Sequence, residues 1–299
     1  MPEFRKIVVC GVGLIGGSFA RALRAVDAVG QVVGVGRSAV SLAAALELGV
    51  IDHACSDWAE ALEGADLVLL ATPVGQMEAI MGAMRPHLEL HTVVTDGGST
   101  KQDVVAAARR ALGDRIHQFV PGHPIAGAER SGVQAADGEL YRNKRVILTP
   151  RPENAPEAGD LVRGAWRACG ALVSDLTPAE HDRVFAAVSH LPHVLAFSLV
   201  HELAGRPNAE LLFGFAGAGF RDFTRIAGSH PEMWRDICLA NREALGSELD
   251  AYIAELEVMR ALLAAGDGPA LETVFDQSRR ARKSWLATAQ FTLGSVETS

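Results

Sequence analysis

Ile7-Val8-Val9-Cys10-Gly11-Val12-Gly13-Leu14-Ile15-Gly16 decides the fold of the first half of this chain. An apolar run without alternation reads as a buried strand, and three glycines follow it at once and open a helix. In such a turn the first glycine permits the tight reversal and the second lets backbone approach a pyrophosphate. The third allows close packing of helix on strand. The helix N-terminus adds free N–H groups and a positive dipole end. Gly11, Gly13, Leu14, Ile15 and Gly16 are therefore candidate dinucleotide contacts. Arg5 and Lys6 before the stretch Ile7 to Ala20 give it a superficial likeness to a signal peptide, but its glycines interrupt the apolar run.

Outward from this motif, short β-rich runs alternate with helical ones. Val32–Val35, Leu67–Ala71, Thr92–Thr95, Phe119–Val120, Arg145–Thr149 and Leu172–Asp175 read as strands; Phe19–Ala28, Val40–Leu48, Met77–Met84 and Gln102–Leu112 read as helices. Strands without alternation, separated by helices, predict a mostly parallel sheet covered on both faces, a Rossmann-like α/β domain. The pattern changes at Thr177-Pro178. Ala179–Leu203, Ala209–Phe213, Pro231–Leu263 and Pro269–Leu286 all read as helix, with Pro192 expected to kink the first. The tail after Ala287 carries little pattern and is expected to fray. The expected division is an α/β domain over residues 1–176 and an all-helical domain over 177–299.

Composition bounds the function. Of 299 residues, 48% are hydrophobic and 21% charged, enough for a large core and incompatible with wholesale disorder. A net charge of −8 without a long basic run argues against nucleic acid or an anionic membrane as partner. Cys10, Cys55, Cys169 and Cys238 form no C-x-x-C pair, so neither a disulfide framework nor a zinc ribbon is expected. Apart from the glycine-interrupted stretch no apolar run is read as approaching the roughly 20 residues of a membrane span. The expected location is the cytoplasm.

Five further segments carry chemistry. After Val32–Val35, where binders of NAD place a carboxylate for the ribose hydroxyls, this chain has Gly36-Arg37-Ser38. An arginine and a hydroxyl suit a 2′-phosphate, which favours NADP; the plainer reading is a solvated arginine. Asp96-Gly97-Gly98-Ser99-Thr100-Lys101 follows a strand at its carboxyl end. Ser99 or Thr100 reads as an N-cap, and Ser99 also as a substrate contact, because ligands of open α/β sheets bind there. The loop from Gly122 to Gly132 offers His123 and Glu129, and histidine is the usual acceptor of a hydroxyl proton; a structural histidine is the alternative. His190 and His193 stand three apart on one helix face, and nothing nearby completes a four-ligand site, so no metal is expected. Finally, Arg221 and Arg225, if helical, share a face that could clamp a dicarboxylate or simply form surface salt bridges. Ser229 and Pro231 read as the cap and first turn of a helix carrying Trp234.

Taken together, these segments resemble the prephenate/arogenate dehydrogenase family of tyrosine biosynthesis. The resemblance rests on Leu14-Ile15-Gly16-Gly17-Ser18, Asp-x-Gly-Ser-x-Lys at 96–101, Gly-His-Pro-Ile-Ala-Gly at 122–127 and Ser-His-Leu-Pro-His at 189–193. Gly-Phe-Arg-Asp-Phe-Thr-Arg-Ile-Ala at 219–227 and Met233-Trp234-Arg235-Asp236-Ile237 complete it, collinear from about residue 6 to 285. It implies oxidation of a cyclohexadienyl alcohol by NAD or NADP with loss of carbon dioxide. His123 would be the acceptor of the hydroxyl proton, assisted by Ser99. Arg225, with His193, Glu129 and Arg221, would hold the substrate carboxylates. The resemblance further implies a homodimer through the helical domain and no fused mutase or regulatory domain. A dehydrogenase of similar layout, such as a β-hydroxyacid dehydrogenase or imine reductase, and a non-catalytic NADP sensor are the alternatives.

Overall fold

A computed structural model describes residues 3–127 and 130–294, the last seven of these by backbone alone. The first half is built as β1 (Phe4–Cys10), α1 (Leu14–Ala25), β2 (Val29–Val35), α2 (Ala39–Glu47), β3 (His53–Cys55), α3 (Trp58–Leu62), β4 (Leu67–Leu70), α4 (Met77–Met84), β5 (Val93–Asp96), α5 (Gln102–Leu112) and β6 (Phe119–Val120). Six parallel strands lie in the order β3-β2-β1-β4-β5-β6, with the reversal of order beside β1, where open α/β sheets bind ligands. Alternate residues face opposite sides: Ile7, Val9, Leu67 and Leu69 enter one core, and Val8, Cys10, Val68 and Leu70 the other. Burial on both faces is why these strands read as unbroken apolar runs.

A second, three-stranded sheet follows: β7 (Gly122–Pro124) pairs antiparallel with β8 (Arg145–Leu148), which pairs parallel with β9 (Leu172–Asp175). Between β8 and β9 runs α6 (Pro156–Ala168), whose Trp166 packs edge-on against Phe19 and Tyr141. The helical part comprises α7 (Pro178–Phe185), α8 (Leu191–Ala204), α9 (Ala209–Gly214), α10 (Ala218–Thr224), α11 (Pro231–Ala240), α12 (Arg242–Ala265) and α13 (Gly268–Gly294). Packing divides the chain at Arg242/Glu243, so that α7–α11 belong to the compact unit of the sheets and the rest of α12 with α13 forms a second unit.

Several local expectations change. The first helix begins at Leu14, not Phe19, because Gly16, Gly17 and Ser18 are buried within it and let it sit close to the sheet. It ends at Ala25; Asp27 turns the chain with φ of 53°, and β2 starts at Val29, three residues earlier than expected. The stretch from Ile7 to Ala20 is thus strand, turn and buried helix of the core rather than a leader. The elements β3, α3 and α6 were not anticipated. The first residues of the expected irregular loop at 122–132 are strand β7.

The long helix over 178–204 is interrupted as expected from Pro192, by a π-helical turn over Ala186–His190. A proline nitrogen cannot donate to the preceding turn, and the wider winding absorbs the loss. This stretch also corrects a second expectation: its most apolar 18-residue window has a mean hydropathy of 1.5, long and apolar enough to cross a bilayer by length and composition. The expected single helix over 231–263 is two, parted at Asn241.

Candidate active site

The glycine turn does what its spacing demands. Gly11 has φ of +94°, and a Cβ there would overlap the carbonyl of Ala71; a Cβ on Gly16 would overlap the carbonyl of Gly11. A Cβ on Gly13, in contrast, would meet no protein atom within 4 Å, so the space above it is open to a ligand. No side chain caps α1 and no acidic residue occupies its first turn, which leaves the amides of Leu14, Ile15 and Gly16 directed at that space. Beside Gly11, at the end of β4, the buried hydroxyl of Thr72 has no partner among the described residues. These features fit a dinucleotide pyrophosphate.

At the end of β2, Ser38 caps α2, its Oγ accepting from the amide of Ser41 at 3.2 Å and from the Ser41 hydroxyl at 3.1 Å. Arg37 is exposed and makes no ion pair among the described residues.

The second cluster forms where β5 and β7 end against α7. Ser99 is half-buried on the turn after β5. Neither it nor Thr100 caps α5, contrary to the N-cap reading. The N-cap position is Lys101, and the cap comes from another helix. Asp182 of α7 accepts the amide of Lys101 at 2.8 Å and that of Gln102 at 2.9 Å. Asp96 accepts the amides of Gly98 (2.8 Å) and Gly122 (3.0 Å), and the Lys101 ammonium donates to Asp96 and to the Gly122 carbonyl (2.7 Å). One buried ion pair therefore binds the Ser99 turn to the strand that carries His123.

His123 is buried against Phe185, and its Nδ1 lies 2.8 Å from Nε2 of His181, whose own Nδ1 lies 2.8 Å from the Asp182 carboxylate. A carboxylate only accepts, so His181 is protonated on Nδ1, its Nε2 is an acceptor, and His123 donates through Nδ1. Nε2 of His123 is left without a protein hydrogen bond among the described residues. Burial, reinforced by the Lys101 ammonium, pushes the His123 pKa well below the ordinary histidine value; His181, neutral in this arrangement, offers an acceptor and not a charge. Burial also lowers His181, against the pull of Asp182. Burial alone would raise Asp182, but hydrogen bonds from His181 and the two amides hold it below the usual carboxylate range.

The two histidines of the 190–193 pair diverge. His190 faces inward, its Nδ1 3.1 Å from the Asn241 amide nitrogen, which also donates to the Asp182 carbonyl at 2.8 Å. His193 stacks on Trp234 with ring centroids 3.6 Å apart, and its Nδ1 donates to the Ser189 carbonyl at 2.9 Å, leaving Nε2 as the acceptor. Its pKa is lowered by burial, with the Arg225 guanidinium acting in the same direction, and the turn that Arg225 opens packs against α8.

Arg221 and Arg225 do not share a continuous helix face. α10 ends at Thr224, and Arg225 opens a 3-10 turn to Gly228. Arg221 points into solvent beside Asp222. The cap of α11 falls on His230 rather than Ser229. Glu129 lies outside the described residues.

Reading the sequence missed His181, Asp182, Thr72 and Asn241. Adjacent His and Asp in a helix give no local signal of a role, since the groups they serve lie some 60 to 80 residues away in the chain. The sequence motif at 96–101 contains Lys101 without revealing its partners.

Comparison with known proteins decides the family. The pattern of the prephenate dehydrogenase nucleotide-binding domain matches residues 19–175, and that of the prephenate dehydrogenase dimerization domain matches residues 177–277. The chain belongs to the prephenate dehydrogenase family. It is 38% identical to a prephenate dehydrogenase of Bacillus subtilis, over 91% of this chain and 74% of that one. It is 36% identical to a cyclohexadienyl dehydrogenase of Zymomonas mobilis, over 94% and 96%. The crystal structure of a prephenate dehydrogenase from Aquifex aeolicus in complex with hydroxyphenyl propionate and NAD+ superposes with a TM-score of 0.88 at 36% identity, covering 94% of this chain and 98% of that one. The expected architecture, a Rossmann-like parallel sheet followed by the family's helical dimerization domain, is the one found.

Proposed function

We propose that this chain oxidises prephenate, or arogenate, with loss of carbon dioxide, giving 4-hydroxyphenylpyruvate or tyrosine, the last oxidative step toward tyrosine. The observation that carries this reading is the bare Nε2 of His123, fixed by His181 on the strand that Asp96 and Lys101 tie to the Ser99 turn. When bound, the nicotinamide supplies the hydride acceptor. His123 Nε2 accepts the substrate hydroxyl proton as the carbinol carbon gives up hydride. The ring carboxylate leaves as carbon dioxide, its bonding pair aromatises the ring, and the proton returns to the phenol oxygen. No net proton is released, which suits a buried base with no other exit for its charge. Ser99 is read as a second hydrogen-bond partner of the hydroxyl. Arg225 and His193, the latter stacked on Trp234, are read as the carboxylate site, with Glu129 and Arg221 as further substrate contacts that the family resemblance implies.

For the cofactor, Arg37 at the end of β2, with no carboxylate following until Glu47, supports NADP over NAD. For the assembly, Leu211, Phe213 and Phe223 in the first unit and Ile253, Leu256 and Phe275 in the second are large apolar side chains exposed on helices of the dimerization domain. They support a homodimer, since apolar helix faces are buried somewhere and two-fold pairing is the commonest way. Val184 and Val188, exposed on the apolar stretch 178–204, would be covered in the same dimer without a membrane, in keeping with a cytoplasmic enzyme. A two-by-two assay of prephenate and arogenate with NAD and NADP tests the reading; absence of turnover in all four combinations would refute it. Light scattering at micromolar concentration tests the dimer, and a stable monomer mass would contradict it.

A further inference from the structure

We propose that His181, anchored by Asp182, is a positioning residue that fixes His123 in its Nδ1–H form and so keeps Nε2 bare for the substrate hydroxyl; this rests on the reading of His123 as the acceptor. The geometry determines each proton in turn. Asp182 is committed on both oxygens, Oδ1 to the Lys101 amide and the His181 ring and Oδ2 to the Gln102 amide at the N-terminus of α5. An amide cap and a helix dipole both favour its charged form, so it offers His181 only an acceptor. His181, protonated on Nδ1, then offers His123 only an acceptor. A free imidazole chooses between two tautomers with little bias, and the wrong one here would aim an N–H, not a lone pair, at the hydroxyl.

The device is rigid for identifiable reasons. His181 and Asp182 are fully buried, and Phe185 packs on both imidazoles, with centroids 4.9 Å from His123 and 4.5 Å from His181. Asn241 holds the main chain of Asp182 from α11. When His123 takes the hydroxyl proton, its Nδ1–H still points at His181, so the transient imidazolium gains a charge-assisted hydrogen bond backed by the Asp182 carboxylate. His181 itself takes no proton, and no net charge moves along the chain.

The test uses His181→Leu, which removes the acceptor, and His181→Gln, whose side-chain oxygen reaches about as far as the histidine Nε2. Enforcing the wrong tautomer by altering the group behind a catalytic histidine costs about 10⁴ in kcat in a serine protease. His181→Leu is expected to lower kcat by about 10²–10⁴, with cofactor dissociation constant and substrate KM within about threefold of wild type. The acid limb of its kcat/KM profile should move to lower pH, because the His123 imidazolium loses its acceptor. His181→Gln should recover at least about tenfold in kcat over His181→Leu and bring the acid limb back. In the unmutated protein, ring nitrogen NMR shifts should report His123 as the Nδ1–H tautomer, a readout that needs no variant to fold. An Nε2–H tautomer, a His181→Leu variant with wild-type kcat and acid limb, or a folded His181→Gln no better than His181→Leu would each overturn the proposal. His123→Asn run in parallel separates the two readings. If it stays active, the acceptor assignment fails; if it is inactive while His181→Leu is normal, only the positioning role fails.

Discussion

Lys101 is fully buried against the equally buried carboxylate of Asp96, and between them they hold both backbone groups of Gly122: Asp96 accepts its N–H and Lys101 donates to its carbonyl. Desolvating two charges is expensive, and their attraction offsets it only while both are present. Lys101→Met would strand the Asp96 carboxylate in the core. The expected loss is about 3–5 kcal/mol of unfolding free energy, measured by urea denaturation. A variant within about 1 kcal/mol of wild type would show that water or a rearranged neighbour takes over the ammonium's place.

His123→Asn removes the bare ring nitrogen while leaving a polar side chain of smaller size on β7. General base catalysis contributes about 10²–10⁴, so kcat should fall by that factor with cofactor affinity unchanged. Steady-state kinetics beside a fluorescence titration of the reduced cofactor make the comparison. Near-normal kcat would remove His123 from the chemistry.

How much of this site was legible in the sequence depends on how locally each residue's role is set. The glycine turn was legible because its constraints are met within β1, α1 and the end of β4, by neighbours that any such turn has. His123 could be singled out by its type and flanking glycines, but its protonation could not, since that is fixed by His181 and Asp182, 58 residues away or more. The cap of α5 was misread for the same reason: Ser99 and Thr100 are good capping residues, but a carboxylate from α7 holds the position. Pro192 announced an interruption, while only packing showed that the added turn brings His190 in toward Asn241. The Arg221/Arg225 pairing assumed α-helical spacing, which fails where α10 tightens into a 3-10 turn.

The turn that Arg225 opens packs against α8, on which His193 stacks on Trp234, and the Arg225 charge is near enough to lower the His193 pKa. A charged hydrogen bond is worth about 1.5–3 kcal/mol, so Arg225→Ala should lower kcat/KM by roughly 10- to 150-fold. If the contact is equal in ground and transition states, the loss should appear in KM with kcat little changed. Arg221→Ala, altering a solvent-facing side chain, should change KM by less than about threefold, the scale of an exposed charge. Equal losses in the two variants would argue for a general electrostatic effect instead of a defined contact.

Arg37 is exposed after β2, and Ser38 is already engaged as the cap of α2. The discrimination between cofactors therefore falls on Arg37. At about 1.5–3 kcal/mol for a charge-assisted bond to a 2′-phosphate, NADP should be preferred roughly 10- to 150-fold in kcat/KM. Arg37→Ala should shrink that preference by raising KM for NADP, with NAD kinetics unaffected. A wild-type preference for NAD would show that the guanidinium stays in solvent when cofactor is bound.

Acid stability provides a test of the buried histidines that needs no substrate. Burial lowers His190 from 6.5 to about 4, against the opposing pull of Asp182 and the Ser99 backbone. A histidine with a folded pKa below its unfolded one binds more protons when unfolded, so acid favours unfolding. Its contribution is fully present above about pH 6.5 and is lost as pH falls from there to about 4, below which both states are charged and no further change is due to this group. His123 and His181 are lowered by burial as well and act in the same direction, beginning at the same upper pH. The melting temperature of the wild type should therefore fall steadily on acidification through this window. His190→Gln, which can still meet the Asn241 amide through its oxygen, should show a shallower fall there and the wild-type value's neighbourhood at neutral pH. Scanning fluorimetry across buffers from pH 4 to 8 is sufficient, and parallel slopes for the two proteins would assign the acid sensitivity to other groups.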